Sequence, residues 1–203
     1  MFKNIYNLDE KLKHKAIKKF KSMLKKSNKN IKEIFHNDWL SLMEIVVPEE
    51  DINGYVYSHE TRCDGKIIVV LPFRKNGDKL EFGLRKEVTP CWSLKPEISS
   101  LTGGYEGGDP RDTAILELKE EAGFEAKHDE LIDLGTSYAS KSSDTVYYLY
   151  AIDVTDKESG EATGDGTKQD AEGTIEWFER PQSDDPQVAV IYLRLLRHFG
   201  EKI

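Results

Sequence analysis

The sequence predicts an α+β fold, a mixed β-sheet flanked by helices, and three observations carry that prediction. Short apolar runs rich in Val, Ile, Tyr and Phe recur from Tyr55 onward, each bounded by Gly, Asn, Asp or Pro. Two later segments, 110 to 122 and 186 to 199, carry helical spacing and open on Pro. Strands outnumber helices, and the helices interrupt them singly instead of alternating with them.

Taken in order, Leu8, Leu12, Ala16, Phe20 and Leu24 recur every four residues with Ile17 and Met23 beside them. That spacing predicts an amphipathic helix over 8–26 with one apolar stripe, ended by SNKN at 27–30. It lies in a lysine-rich arm, 1–38, ahead of a body at 39–203, and its stripe needs the body or a second subunit to pack on. A homodimer is one expectation. A short segment leads through Trp39 to Val47. Strands follow at GYVYSHETRC, KIIVVLPF and LEFGLRKEV, the last two joined across Asn76-Gly77-Asp78, a hairpin signal. Next come the glycine-rich LTGGYEGG, the helix 110–122, strands near 131–138 and 145–153, a polar loop at 157–173, the strand TIEWFE and the closing helix.

The chain of 203 residues is long enough for one cored domain with an appendage, and too short for two large ones. No apolar run approaches the ~18 residues of a membrane span. The N-terminus has no apolar stretch followed by a small-residue cleavage site. Cys63 and Cys91 stand far apart in no ligand spacing, which excludes a structural zinc site and fits a cytoplasmic setting. Net charge is −8, unevenly spread: residues 1–33 hold eleven lysines against Asp9, Glu10 and Glu33, so they carry +8 and the rest −16. A basic arm can meet nucleic acid, but no nucleic-acid motif accompanies the lysines, and a solvated helix face is the favoured reading.

The chemistry concentrates in LELKEEAGF, Leu116 to Phe124. Asp109-Pro110-Arg111-Asp112 starts its helix, with Asp109 as N-cap and Pro110 where a missing N–H costs nothing. At 100° per residue Ala114, Leu118 and Ala122 share a face for burial, with Ile115 beside them. Glu117, Glu120 and Glu121 form another, at i, i+3 and i+4. Like charges so spaced repel by a few tenths of a kcal/mol per pair. A hard divalent cation removes that cost by taking carboxylate oxygens, leaving coordination positions for water and phosphate.

With the glycine loop ahead and Gly123 behind, GGYEGGDPRDTAILELKEEAGF resembles the Nudix box, G-x5-E-x7-R-E-U-x-E-E-x-G-U, where U is bulky and aliphatic. Glu117, Leu118, Glu120, Glu121, Gly123 and Phe124 fall in register. LTGGYEGGD is similar to the P-A-G-x-x-E-x-G-E stretch of ADP-ribose pyrophosphatases, through Gly103, Glu106, Gly108 and Asp109. The resemblance spans about residues 39–199. It implies a Nudix-like α/β/α sandwich and a hydrolase of a nucleoside diphosphate linked to another group, most similar in layout to enzymes of ADP-ribose or nucleotide sugars. The cofactor it implies is Mg2+ or Mn2+.

By the same resemblance Glu117, Glu120 and Glu121 hold metal, with the Thr102 carbonyl completing the sphere. Glu117 also counts among the catalytic residues, and Glu172 in the late loop is the expected general base, with Asp170 in reserve. Arg85 is expected at a substrate phosphate, Trp39 or Tyr138 against a base, and Gly103 and Gly104 along the substrate. Two departures stand out. Asp109 fuses an acid and an N-cap, one residue closer to Glu117 than the pattern prescribes. Leu116 stands where an arginine pairs with a box glutamate, so another cation substitutes, or turnover is slow, or the chain is a nucleotide-binding module that has given up catalysis.

Overall fold

The computed structural model describes residues 30–105, 107–164 and 173–200. The helix expected over 8–26, and with it Glu106, Asp170 and Glu172, lies outside the described residues. The described chain forms two sheets of unequal size.

The small sheet is antiparallel, in the order β1 (Ile31–His36), β2 (Leu40–Val47), β3 (Ile52–Glu60). The Asn37 side chain turns β1 into β2 by accepting the N–H groups of Trp39 and Leu40 at 2.9 and 2.7 Å, an Asx turn. Pro48–Glu50 forms a 3-10 turn before β3, closed by Asp51 in the left-handed region at φ 56°. Ile31–His36, assigned to the arm by the sequence reading, is thus the edge strand of this sheet. A bulge between Glu33 and Phe35 breaks its alternation, which is why Ile34 and Phe35 are apolar neighbours.

The large sheet begins with the hairpin β4 (Lys66–Asn76) and β5 (Lys79–Glu87), turned at Gly77 with φ 62°. Two short strands follow, β6 (Glu97–Ser99) and β7 (Leu101–Gly104), then α1 (Pro110–Ala122). β8 (Ile132–Tyr138), β9 (Val146–Asp153), β10 (Thr174–Phe178) and α2 (Pro186–His198) complete it. The order is β10-β5-β4-β9-β8, with β6 on β5 and β7 on β4. β4 and β9 run parallel and the other pairs antiparallel, so the sheet is mixed.

Strand alternation sends Ile68 and Val70 to one face, where Ala114, Leu118 and Ala122 of α1 cover them, and Val69, Leu71 and Phe73 to the other, under Val188, Ile191 and Leu195 of α2. The side chains of both cores are closed to solvent, and helix on sheet on helix is the resulting section. Among the described residues no helix is long and apolar enough to cross a membrane.

The feature that positions the site is a split. β4 and β5 pair from Asn76↔Lys79 to Phe73↔Phe82 and then part. Beyond that point β7 takes the freed edge of β4, from Val70↔Leu101 to Ile67↔Gly104, and β6 takes that of β5 at Arg85↔Ser99. Thr102 and Arg85 therefore stand on opposite walls of the split, beneath α1.

Candidate active site

The helix that spans this split is anchored at both ends. At its start Asp109 accepts the Arg111 N–H at 3.0 Å and its carboxylate also holds the Arg111 guanidinium. That guanidinium keeps the Asp109 carboxyl at a pKa of about 2, so the acid is committed to the cap and to Arg111. Gly107 and Gly108, at φ 120° and 94°, let the chain turn into this cap. At the other end Gly123 adopts φ 73° and its N–H bonds to the Lys119 carbonyl. A side chain there would also strike the Gly160 carbonyl, since a Cβ would lie 2.4 Å from that oxygen.

Between these anchors the three glutamates take different positions. Glu117 lies across Gly103: a Cβ on that glycine would sit 1.7 Å from Oε1 of Glu117, so only glycine admits the carboxylate. Glu121 is buried, and its Oε2 accepts the Thr102 N–H at 3.2 Å. Two carboxylates from successive turns thus meet consecutive residues of β7. Glu120 is half-buried, and its backbone carbonyl accepts the Gly164 N–H at 2.9 Å.

Arg85, expected at a substrate phosphate, is only 1% exposed. Its Nε donates to Glu87 Oε2 at 2.9 Å and stands 3.6 Å from Glu121 Oε1, and its Nη1 reaches the Glu121 carbonyl at 3.3 Å. Glu87 is steadied by the Ser99 hydroxyl at 3.0 Å. The cation therefore faces inward to carboxylates. Gly173 presses on the same group, for a Cβ there would approach Arg85 Nη2 to 2.5 Å. The chain on either side of 165–172 thus touches the site, at Glu120 through Gly164 and at Arg85 through Gly173.

The chain shares its fold with a hydrolase. A crystal structure of an ADP compounds hydrolase superposes with a TM-score of 0.59 at 17% identity, covering 84% of this chain and 94% of that one. No family model matches the sequence, and no curated protein matches it. At that identity the likeness is one of fold.

Within this fold the remaining expected residues scatter. Trp39 is 64% exposed at the head of β2 with the Arg62 guanidinium 5.2 Å over its ring, and that guanidinium stands 3.9 Å from where a Gly104 Cβ would be. Trp39, Arg62 and Gly104 are thus neighbours. Tyr138 is 72% exposed at the end of β8; three strand spacings, roughly 14 Å, separate that strand from β7. Cys63 packs behind Gly104, where burial pushes its thiol pKa up and makes it a small apolar filler.

Arg62 and Glu87 are the residues that sequence reasoning missed. The i, i+2 spacing of Arg85 and Glu87 in LEFGLRKE places them on one strand face and signals the second. Nothing in the turn sequence His59-Glu60-Thr61-Arg62-Cys63 marks Arg62. A cleft of about 660 Å3 opens beside Trp92 and Asp185 at the start of α2, and a smaller cavity of about 170 Å3 runs from Trp92 to Glu87 and Thr102. Glu117, Glu120 and Glu121 do not line the larger cleft, so the side chains, not the cavity size, locate the site.

Among the described residues no three His, Cys, Asp or Glu side chains form a ready-made metal shell. Glu117 and Glu121 nonetheless fit a hard cation of the Mg2+ kind, which keeps several waters and takes one or two carboxylates plus substrate phosphate oxygens. Their side-chain donors are oxygens, the kind a hard cation takes.

Proposed function

We propose that this protein is a metal-dependent hydrolase of the phosphoric anhydride bond in an ADP-type compound, ADP-ribose or a nucleotide sugar, of the Nudix kind. The single observation that carries this reading is the Glu117 carboxylate lying over Gly103 while Glu121 grips the preceding residue, Thr102. Two acids so close on one helical face repel, and a divalent cation between them removes that cost. The likeness of fold to a protein described as an ADP compounds hydrolase supports the substrate class.

In this reading Glu117 and Glu121, with Glu120 beside them, hold Mg2+ or Mn2+, which when bound neutralises phosphate oxygens and lowers the pKa of water. The chain's own residues do the rest. Gly103 and Gly104, lacking side chains, let the anhydride lie against β7. Trp39 stacks the base, with Arg62 at hand for a phosphate. Water adds its oxygen to one phosphorus as the bridging P–O bond breaks; the proton passes to Glu172, and the leaving phosphate takes the bridging oxygen.

The test is a panel of dinucleotides, nucleotide sugars and nucleoside triphosphates with Mg2+ or Mn2+. The expected result is release of AMP from an ADP-linked compound, lowered ~100-fold or more by Glu121→Gln, as when one charge-stabilising group is removed. No turnover across the panel, with calorimetric binding of the same nucleotides, would favour a second reading, a nucleotide-binding module. Leu116, half-exposed where the box pattern has its arginine, is the observation behind it.

A further inference from the structure

Burying a guanidinium is costly unless every face of it is used, and an apolar side chain of similar volume would fill the same space at no such cost. Arg85 is buried on β5 all the same, and what it touches is specific. Its Nη1 bonds to the main-chain carbonyl of Glu121, and its Nε stands 3.6 Å from that residue's carboxylate. The second distance is a charge contact, longer than a hydrogen bond. Arg85 is itself held, by Glu87 at 2.9 Å, and Glu87 by the Ser99 hydroxyl at 3.0 Å. Ser99, Glu87, Arg85, Glu121 and the Thr102 N–H thus form a continuous polar line across the split, with the helix glutamate as its last link before β7.

We propose that Arg85 is the positioning residue for Glu121, a cation supplied by strand β5 in place of one from the helix. Leu116 needs no replacement on its own turn, because it points to solvent, 50% exposed, while the sheet delivers the charge from below. The planar fork is what the geometry uses: one edge goes to Glu87 while Nη1 reaches the Glu121 carbonyl, so guanidinium and helix turn are fixed together. Holding a ligating carboxylate in one orientation is worth ~10 to 100-fold in metal affinity. This inference rests on the metal-dependent reading of the site.

The experiment compares Mn2+ dissociation constants, by paramagnetic resonance of free Mn2+, with thermal melts for wild type, Arg85→Lys and Glu87→Gln. Lysine keeps the positive charge, so a change reports lost orientation and not lost Coulomb attraction. Arg85→Lys is expected to weaken Mn2+ binding by about 10 to 100-fold, and to lower kcat more than it raises KM. Glu87→Gln, which leaves Arg85 charged but loosens its anchor, is expected to shift the constant the same way by a smaller factor. It carries the test if Arg85→Lys does not fold. Equal Mn2+ affinity in wild type and the folded variants overturns the positioning role while leaving the proposed function standing. Failure of wild type to bind Mn2+ overturns the proposed function itself.

Discussion

The two sheets of this molecule are built from similar residues and held by different forces. The large sheet has a helix on each face and two clusters of apolar side chains closed to water, whereas the small one leaves Ile34, Phe35, Ile52, Tyr55 and Val56 exposed. It is joined to the body by a polar seam. Ser58 exchanges backbone hydrogen bonds with Ser142 and Asp144 at 2.9 and 3.2 Å, His59 meets the Asp144 carboxylate at 3.0 Å, and the Tyr55 hydroxyl donates to the Lys141 carbonyl. Such bonds contribute about 1 kcal/mol each, against about 1.5 to 3 for each large side chain buried in the body. Strand pairing alone makes a sheet; burial on both faces makes a platform rigid enough to aim side chains. The glutamates and their partners accordingly belong to the large sheet.

The sharpest way to break that comparison is a matched pair of truncations. Leu118→Ala, beneath α1 with no exposed surface, is expected to cost about 3 to 4 kcal/mol in urea unfolding. Phe35→Ser on the open sheet is expected to stay within about 0.5 kcal/mol. Equal losses would mean that the small sheet shares the core of the large one. Gly103→Ala comes next and probes aim without burial. Its Cβ would collide with the end of the Glu117 side chain, which can swing away, so stability should shift by less than about 1 kcal/mol. Turnover on the responsive substrate should fall at least about 10-fold, because a ligating carboxylate leaves its place. Unchanged turnover would remove Glu117 from the site.

The smallest effect is electrostatic and is read against pH. Asp109 is held at about 2 by Arg111 and the cap, below its unfolded value of about 3.9. A depressed carboxyl contributes stability that is whole above the unfolded value and is lost as pH falls through the folded one. Wild type should therefore lose that contribution between about pH 4 and pH 2. Asp109→Asn, still an N-cap but uncharged, should lack that part of the acid limb while its melt at neutral pH keeps the same shape. An identical acid limb in both proteins would assign the sensitivity to other acids, those of the small sheet among them.

Much of the large sheet was legible because its signals are local. The Asn76-Gly77-Asp78 turn, the Asp109-Pro110 start and the burial of Ala114, Leu118 and Ala122 follow from residues a few positions apart. β1 was not legible, since a bulge puts two apolar residues side by side and only pairing with β2 makes IKEIFH a strand. β7 reads as a glycine loop, and it is a strand because β4 offers a free edge more than thirty positions away. For the site, the spacing of Glu117 and Glu121 announced a shared face. The inward turn of Arg85 did not, because a lone arginine in a strand carries no sign of which partner it will meet across the sheet.

The parallel pairing of β4 with β9 sets when the site can exist. Lys66 aligns with Val146 and Phe73 with Asp153, so this contact closes a loop of about 80 residues, a slow kind of event for a folding chain. The hairpin, both walls of the split and the glutamate helix all lie inside that loop. During synthesis the glutamates leave the ribosome before the strand that secures β4 from the other side. Until β9 arrives, β4 lacks its partner on that side, and the walls on which the acids rest are not yet fixed.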